Sequence, residues 1–251
     1  MEIFYLCFFA FLAGFIDSIV GGGGLIQTPA MLVLLPHVPI ASLLGTGKLA
    51  GISGTSAALL RYRRSVQIKW VSIIPTAAAA FIFSFIGART VSSIPTEMLR
   101  PVILVLLIGV AVYTFLRKDF GSLHAPRLSE KKEKLYGLGI GLIIGFYDGF
   151  FGPGTGSFLI FIFISLFGFN FLAASASAKV VNIATNLSAL LYFAFTNQVL
   201  YRIGIPMAIC NVLGSTLGSR LAIQKGTSFI RVFFLIVVIA IISKFAYDSF
   251  F

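Results

Sequence analysis

Long runs that are apolar on every face dominate the hydrophobic pattern of this chain. A run of about 18 or more residues is long enough to cross a hydrocarbon core of about 30 Å as a helix. The alternating strands of a membrane β-barrel would give a different pattern. We therefore predict an all-α membrane protein with about eight transmembrane segments. The predicted segments cover about residues 3–35, 43–60, 71–88, 101–116, 135–167, 174–191, 202–219 and 232–247.

The second half of the chain repeats the first half without a gap, at an offset of 131 residues. The tetrapeptide that ends at Asp17 recurs with one change at Asp148, and Lys48 recurs as Lys179. Chance similarity between apolar runs would not keep Asp, Lys, Gln, Pro and Arg in one register. We interpret the chain as a first membrane repeat, a cytoplasmic linker and a second membrane repeat, at residues 1–120, 121–131 and 132–251.

Glycine-rich stretches interrupt the first run of each repeat. A straight helix over residues 3–35 would be about 50 Å long, which is too long for the bilayer. Glycine costs roughly 1 kcal/mol per position in a helix, so the glycines at 21–24 should break it. We predict a helix to about Val20 and a short helix from about Leu25, with the same interruption at residues 152–156. Whether the broken segments span the membrane or re-enter it stays open.

Composition and charge indicate the environment and the orientation. The chain is 58% hydrophobic and 11% charged, with a net charge of +11, whereas about 25% of the residues in soluble domains are charged. The basic residues cluster around residues 61–69 and 117–134, and the positive-inside rule places these loops in the cytoplasm. We expect a multi-pass inner-membrane protein with both termini in the cytoplasm. Its partner would be the lipid bilayer and not nucleic acid.

Four ionisable residues lie inside the apolar segments as two repeat-related pairs, Asp17 with Asp148 and Lys48 with Lys179. A charge at the centre of a membrane helix costs roughly 2.5–3.5 kcal/mol, so these groups must be paired, solvated in a cavity or partly neutral. Two interpretations stay open. The residues form structural Asp–Lys pairs that brace each half, or some of them face a substrate or a proton path.

The glycine breaks also predict an anion site. A helix that restarts inside the membrane presents unpaired N–H groups at its positive dipole end, and such an end binds anions. The second segment of each repeat adds polar side chains, and at helical spacing Lys48 shares a face with Thr55, as Lys179 does with Asn186. Close packing and helix–helix hydrogen bonds are the structural alternatives. The candidate substrate-binding residues are Gly23, Gly24, Leu25, Thr46, Lys48, Thr55, Gly154, Thr155, Gly156, Lys179, Asn182 and Asn186.

No grouping of residues in the sequence predicts an enzyme, a metal site or a cofactor. The segment Gly45–Leu49 resembles the end of a phosphate-binding loop, but the earlier glycine is missing and Leu49 replaces Ser or Thr. His37 and His124 are single residues in loops, so no catalytic triad can be assembled. We interpret Cys7 and Cys210 as packing residues. Catalytic residues, metal ligands and cofactors are therefore all expected to be absent.

Four segments resemble a known family. They are GFIDSIVGGGGLIQTPAML and GTGKLAGISGTSAALLRY in the first repeat, and GFYDGFFGPGTGSFLIFIF and ASASAKVVNIATNLSALLYF in the second. Together they are similar to the TauE/SafE family of sulfite exporters, also called the 4-toluene sulfonate uptake permease family. The resemblance implies a polytopic inner-membrane protein that moves sulfite, organosulfonates or related small anions.

We therefore expect a secondary transporter, and specifically an exporter, of small oxyanions. In this hypothesis the half-helix N-termini and the lysines attract the anion, while Asp17 and Asp148 orient the lysines or carry protons. Two rival functions remain, an anion channel of the same architecture and a membrane scaffold or assembly factor that transports nothing. The sequence leaves the anion, the direction of transport, the coupling ion and a homo-oligomeric state open.

Overall fold

The computed structural model describes residues 1–116 and 128–225 of the chain. Within these two ranges the chain forms helices and no strand. Part of the predicted linker and the last predicted segment, 232–247, lie outside the described residues, so eight transmembrane segments remain a prediction. The helices are α1 (Glu2–Val20), α2 (Gly24–Leu34), α3 (Ile40–Tyr62), α4 (Trp70–Ser92), α5 (Thr96–Leu116), α6 (Glu130–Phe150), α7 (Thr155–Ser165), α8 (Phe171–Phe195) and α9 (Tyr201–Lys225).

The helices follow the register of the sequence repeat. The first residues of α2, α3 and α4 are Gly24, Ile40 and Trp70, and those of α7, α8 and α9 are their repeat partners. The duplicated sequence therefore begins its helices at equivalent positions in both copies.

The predicted interruptions are present in both copies. Helix α1 ends at Val20, and Gly21 then adopts a left-handed backbone with φ of 79°. In the second copy Gly152 and Gly154 have φ of 98° and 85° between α6 and α7. This conformation strains residues that carry a Cβ, so glycine at these positions lets the chain stop one helix and start another. The second helix begins at Gly24, one residue before the predicted start.

Three helices of the described residues are long and apolar enough to cross a membrane, namely α1, α4 and α8. At about 1.5 Å per residue, each spans roughly the hydrocarbon thickness of about 30 Å. Their outer faces are apolar as well, since Phe4, Ile82 and Leu187 are exposed in this chain. Such faces suit contact with lipid better than contact with water.

One helix of each repeat packs with the helices of the other repeat. These exchanged helices are α4 and α9. Helix α1 packs most extensively against α9, and its repeat partner α6 packs against α4. Helix α3 likewise contacts α9, whereas α8 contacts α4. Two packing groups result, one of α1, α2, α3 and α9 and the other of α6, α7, α8 and α4. Each group contains helices from both repeats, and α3 and α8 pack against each other between them.

Glycines allow α6 and α4 to approach closely. Gly137, Gly141, Gly145 and Gly149 recur at every fourth position and lie against α4. A Cβ at Gly149 would collide with the carbonyl oxygen of Ser84, whereas a Cβ at Gly139 would meet nothing within 4 Å. Small residues are the usual means by which membrane helices bring their backbones into contact.

We predict that Gly149→Ala lowers the free energy of unfolding by about 1–3 kcal/mol, the usual cost of overpacking. Gly139→Ala is the matched control, because it adds the same methyl group to the exposed face of the same helix. The control should be neutral or stabilising by up to about 1 kcal/mol, since alanine favours helix over glycine. Thermal unfolding of the purified variants in detergent measures both effects. Equal stabilities of the two variants would contradict this account of the α4–α6 contact.

Candidate functional site

A polar cavity lies where the two helix breaks meet. Its volume is about 80 Å³, and residues from α1, α2, α3, α6, α7, α8 and α9 line it together with both breaks. One water molecule needs about 10–15 Å³ on this measure, so the cavity has room for several waters or for a small solute.

Most of the predicted site residues line this cavity. They come from both repeats and from distant parts of the sequence, and the packing of the helices brings them together. The predicted residues in the wall are Asp17, Gly23, Gly24, Lys48, Thr55, Asp148, Gly154, Thr155, Gly156, Asn182 and Asn186.

Three predicted site residues lie outside the wall. Leu25 is fully buried in the apolar core, and its N–H donates to the carbonyl of Gly22 at 3.0 Å. The Thr46 hydroxyl donates to the Ser42 carbonyl at 2.7 Å and accepts from the N–H of Leu200 at 3.0 Å. Both residues have structural partners in place of a ligand. Lys179, the third residue, is buried and does not line the cavity.

The two broken helices are joined directly. The N–H of Ser157 in α7 donates to the carbonyl of Gly21 at 3.0 Å, and the Ser157 hydroxyl donates to the carbonyl of Val20 at 2.8 Å. These are carbonyls that the end of α1 leaves without a helical partner. A Cβ at Gly156 would lie 2.6 Å from the Cα of Gly21, so this crossing requires glycine.

Some amides at the breaks have partners and others do not. The N–H of Gly23 donates to Asp17 Oδ1 at 3.4 Å, and that of Thr155 donates to the Gly152 carbonyl at 3.1 Å. The N–H groups of Gly24, Gly154 and Gly156 have no hydrogen-bond partner within the described part of the chain. These three residues line the cavity, so they are the backbone donors available to a solute.

Lys48 is paired across the repeats. Its Nζ lies 2.9 Å from Asp148 Oδ2 and donates to the Asp148 backbone carbonyl at 2.6 Å. Both side chains are nearly buried. This pair joins α3 of the first repeat to α6 of the second, which corrects the expectation that the pairs brace each half internally.

Lys179 has a different environment, although it occupies the equivalent position. Its Nζ donates to the backbone carbonyl of Asp17 at 3.1 Å and lies 5.2 Å from the centre of the Tyr62 ring. The carboxylate of Asp17 instead accepts long hydrogen bonds of 3.4 Å from the N–H of Gly23 and the hydroxyl of Thr55. No ion pair to this carboxylate occurs between described residues. The two copies have therefore diverged at their charged positions.

The family model described as "Sulfite exporter TauE/SafE" matches residues 6–245. The chain belongs to the TauE/SafE family. This agrees with the resemblance found in its glycine-rich motifs.

Curated relatives in this family align over most of both chains. ORF9 of Sinorhizobium sp is 38% identical, covering 92% of this chain and 87% of that protein. YfcA of Escherichia coli K12 is 36% identical over 97% and 89%, and a Haemophilus influenzae protein is 34% identical over 95% and 92%. All three are named probable membrane transporter proteins, so this family member is a membrane transporter and not an enzyme. No solved structure matches the chain significantly.

Two residues of the cavity wall are not apparent from the repeat. Asn211 Nδ2 donates to Gln27 Oε1 at 3.2 Å, and Gln27 Nε2 donates to the Gly47 carbonyl at 3.1 Å, next to Lys48. Their repeat partners are Ala80 and Phe158. Neither residue is kept at its repeat-related position, so comparison of the two repeats could not have identified them. A carboxamide within a membrane helix is the signal that would have found both.

We predict that Lys48→Met destabilises this transporter more than Lys179→Met does. Removing Lys48 leaves the buried Asp148 carboxylate without a counter-charge, which costs about 3–5 kcal/mol. Removing Lys179 deletes a charged hydrogen bond to a carbonyl, which costs about 1.5–3 kcal/mol. Denaturation in detergent measures both changes.

A second substitution tests the cause. Asp148→Asn should recover stability in the Lys48→Met background, because it removes the unpaired charge. Asp17→Asn should give no such recovery in the Lys179→Met background. Equal losses in the two lysine variants, without recovery, would show that the cross-repeat ion pair does not stabilise the fold.

Proposed function

We propose that this chain is a secondary transporter of small oxyanions, such as sulfite or an organosulfonate, and that it exports them. The observation that carries the proposal is the cavity in which two half-helix N-termini, their free amides and a lysine converge. The description of the family as a sulfite exporter supports the same substrate class. The small cavity volume also favours a solute of few atoms.

The donors suit an oxyanion. The N–H groups of Gly24, Gly154 and Gly156 lie at the starts of α2 and α7, where the helix dipole is positive. Such ends bind sulfur and phosphorus oxyanions and carboxylates. Lys48 lies in the same wall, and its ammonium keeps one N–H donor beyond the two that bind Asp148. In transporters, broken helices commonly present their half-helix N-termini to an anionic group of the substrate.

An unpartnered side chain supports a polar ligand in this cavity. Asn182 is only 6% exposed, and its Oδ1 has no hydrogen-bond partner among the described residues. Buried polar atoms in native proteins nearly always have a partner. Because Asn182 lines the cavity, a water molecule is the natural donor to this oxygen, and an oxyanion would accept from the Nδ2 of the same carboxamide.

Alternating access would involve the two packing groups described above. In the proposal the group of α1, α2, α3 and α9 moves against the group of α4, α6, α7 and α8 around the cavity. Rocking of one bundle against another around a fixed site is the usual mechanism of such transporters. The chain would lie in the inner membrane with both termini and the basic loops in the cytoplasm.

Transport in proteoliposomes tests the proposal. Purified protein is reconstituted, and the movement of labelled sulfite, sulfoacetate, taurine and sulfate is followed. A carrier gives saturable flux and counterflow, in which unlabelled substrate inside drives accumulation of labelled substrate. A channel gives flux without counterflow, and a scaffold gives no flux above that of empty liposomes. Either of the last two results would overturn the proposal.

We predict that Asn182→Ala weakens anion binding by about 1.5–3 kcal/mol, the value of a hydrogen bond that Nδ2 donates to a charged group. This corresponds to a Kd about ten- to 150-fold higher. Ser177→Ala is the matched control, since Ser177 is also buried on α8 with an unpartnered hydroxyl but does not line the cavity. Titration of sulfite into each variant measures the affinities. Equal affinity of the Asn182 variant and wild type would remove Asn182 from the site.

A further inference from the structure

The two repeat-related carboxylates of the cavity have unlike partners. Asp148 is nearly buried and holds Lys48 at 2.9 Å, so its charge is neutralised by a short ion pair. Asp17 is half-buried and lines the cavity, and the two hydrogen bonds to its carboxylate are both 3.4 Å long. The carboxylates therefore differ in how much a change of protonation would disturb the fold.

The charged and titratable groups around Asp17 come from three helices. Helix α8 brings Lys179, which donates to the Asp17 backbone carbonyl, and α3 brings Tyr62, whose hydroxyl donates to the Ser18 carbonyl at 2.9 Å. The Lys48–Asp148 pair, from α3 and α6, lies on the same cavity. Helices α2 and α9 bring only neutral polar side chains to the wall, which are Gln27, Thr28 and Asn211.

This arrangement makes the charge balance unfavourable for an anion alone. Lys48 is neutralised by Asp148, and the carboxylate of Asp17, when ionised, adds a negative charge to the same small cavity. A substrate anion would place a second negative charge beside it, and such repulsion is large where water is scarce. Lys179 offsets part of this charge, but it lies behind the wall and does not pair with the carboxylate.

We propose that Asp17 binds a proton that is transported together with the anion, while Asp148 stays ionised as the partner of Lys48. The inference rests on the proposed transport function and assigns its coupling ion. During export the proton binds a carboxylate oxygen of Asp17 from the cytoplasmic side and leaves to the outside with the anion. A divalent oxyanion with one proton carries one net negative charge outward, which an inside-negative membrane potential favours. No other bond forms or breaks.

Protonation suits the geometry at Asp17 and not at Asp148. A protonated carboxyl has an O–H donor, so neutral Asp17 could donate to an oxyanion instead of repelling it. The long contacts from Gly23 and Thr55 leave its oxygens accessible to a proton. Protonating Asp148 would break its ion pair and leave Lys48 as a buried charge without a partner, which is costly.

Sulfite uptake into proteoliposomes under an inward-directed proton gradient tests the inference. Wild type should concentrate sulfite in response to the gradient. Coupling between two ligands is typically about 5- to 150-fold, so Asp17→Asn should reduce gradient-driven accumulation by about ten-fold or more while counterflow exchange stays measurable. Asp148→Asn removes the other carboxylate and leaves Lys48 without its partner, so its overall rate should fall, but the transport that remains should still respond to the gradient. Ser53→Ala, outside the cavity wall, is the control that should match wild type. Sulfite itself titrates near neutrality, but this property is common to every variant and cancels in the comparison.

Thr55→Val provides a second test that keeps the carboxyl group. The Thr55 hydroxyl donates to Asp17 Oδ2, and a hydrogen bond to the charged form favours that form. Its loss should therefore raise the pH at which sulfite transport is half-maximal. Ser53→Ala is the control, because the Ser53 hydroxyl donates to the Leu49 carbonyl on the same helix, outside the cavity wall. This test remains informative even when the Asp17→Asn variant does not fold.

The outcomes separate this inference from the function on which it rests. Wild-type sulfite transport with an undiminished gradient response in Asp17→Asn would overturn the role of Asp17 and leave transport intact. Loss of the gradient response in Asp148→Asn alone would assign the proton to the other repeat and also overturn it. An unchanged pH profile in a folded Thr55→Val would count equally against it. Wild type that moves no sulfite in any mode would overturn the transport proposal and this inference together.

Discussion

Backbone polar groups at the two helix breaks must find partners in apolar surroundings, and the rest of the structure depends on how they do so. At the end of α1 the carbonyls of Val20 and Gly21 accept hydrogen bonds from Ser157 of α7. Non-helical backbone at membrane depth is tolerated only where it is buried in protein or lines a cavity, and both conditions occur here. The amides that the crossing leaves unpaired face the cavity. The fold and the candidate site therefore have the same origin.

Because α4 and α9 are exchanged between the repeats, the cavity forms only when both repeats pack together. Helix α4 packs with α6 and α8, and α9 packs with α1 and α3. The Lys48–Asp148 pair and the Lys179–Asp17 contact each join one repeat to the other. Neither repeat alone could supply a counter-charge to its own lysine in this geometry. A membrane charge without a partner is costly, so these contacts also favour the correct assembly of the two copies.

The sequence predicts local features well because their causes are local. Glycine propensity places the end of α1 at Val20, and duplication places the same break in the second copy. Which lysine meets which carboxylate depends on the exchange of helices, and the sequence contains no sign of that exchange. The donors differ from the prediction for a similar reason. The N–H of Leu25 donates to the Gly22 carbonyl, whereas the N–H of Gly24 has no partner among the described residues. A bond between neighbouring residues decides this outcome, and spacing does not reveal it.

The divergence of the two breaks accounts for the asymmetry of the charges. In the second copy Gly156 and Ser157 cover Gly21. Their partners in the first copy are Leu25 and Ile26, whose N–H groups donate to the carbonyls of Gly22 and Gly23 and not to Gly152. Gly152 therefore stays open on its cavity side, and a Cβ there would lie 2.9 Å from Lys48 Nζ. The absence of that side chain gives Lys48 the space in which it reaches the Asp148 carboxylate. At the other break α7 occupies the corresponding space. Within the described part of the chain Lys179 donates to the Asp17 carbonyl and to no carboxylate, and the carboxylate of Asp17 faces the cavity.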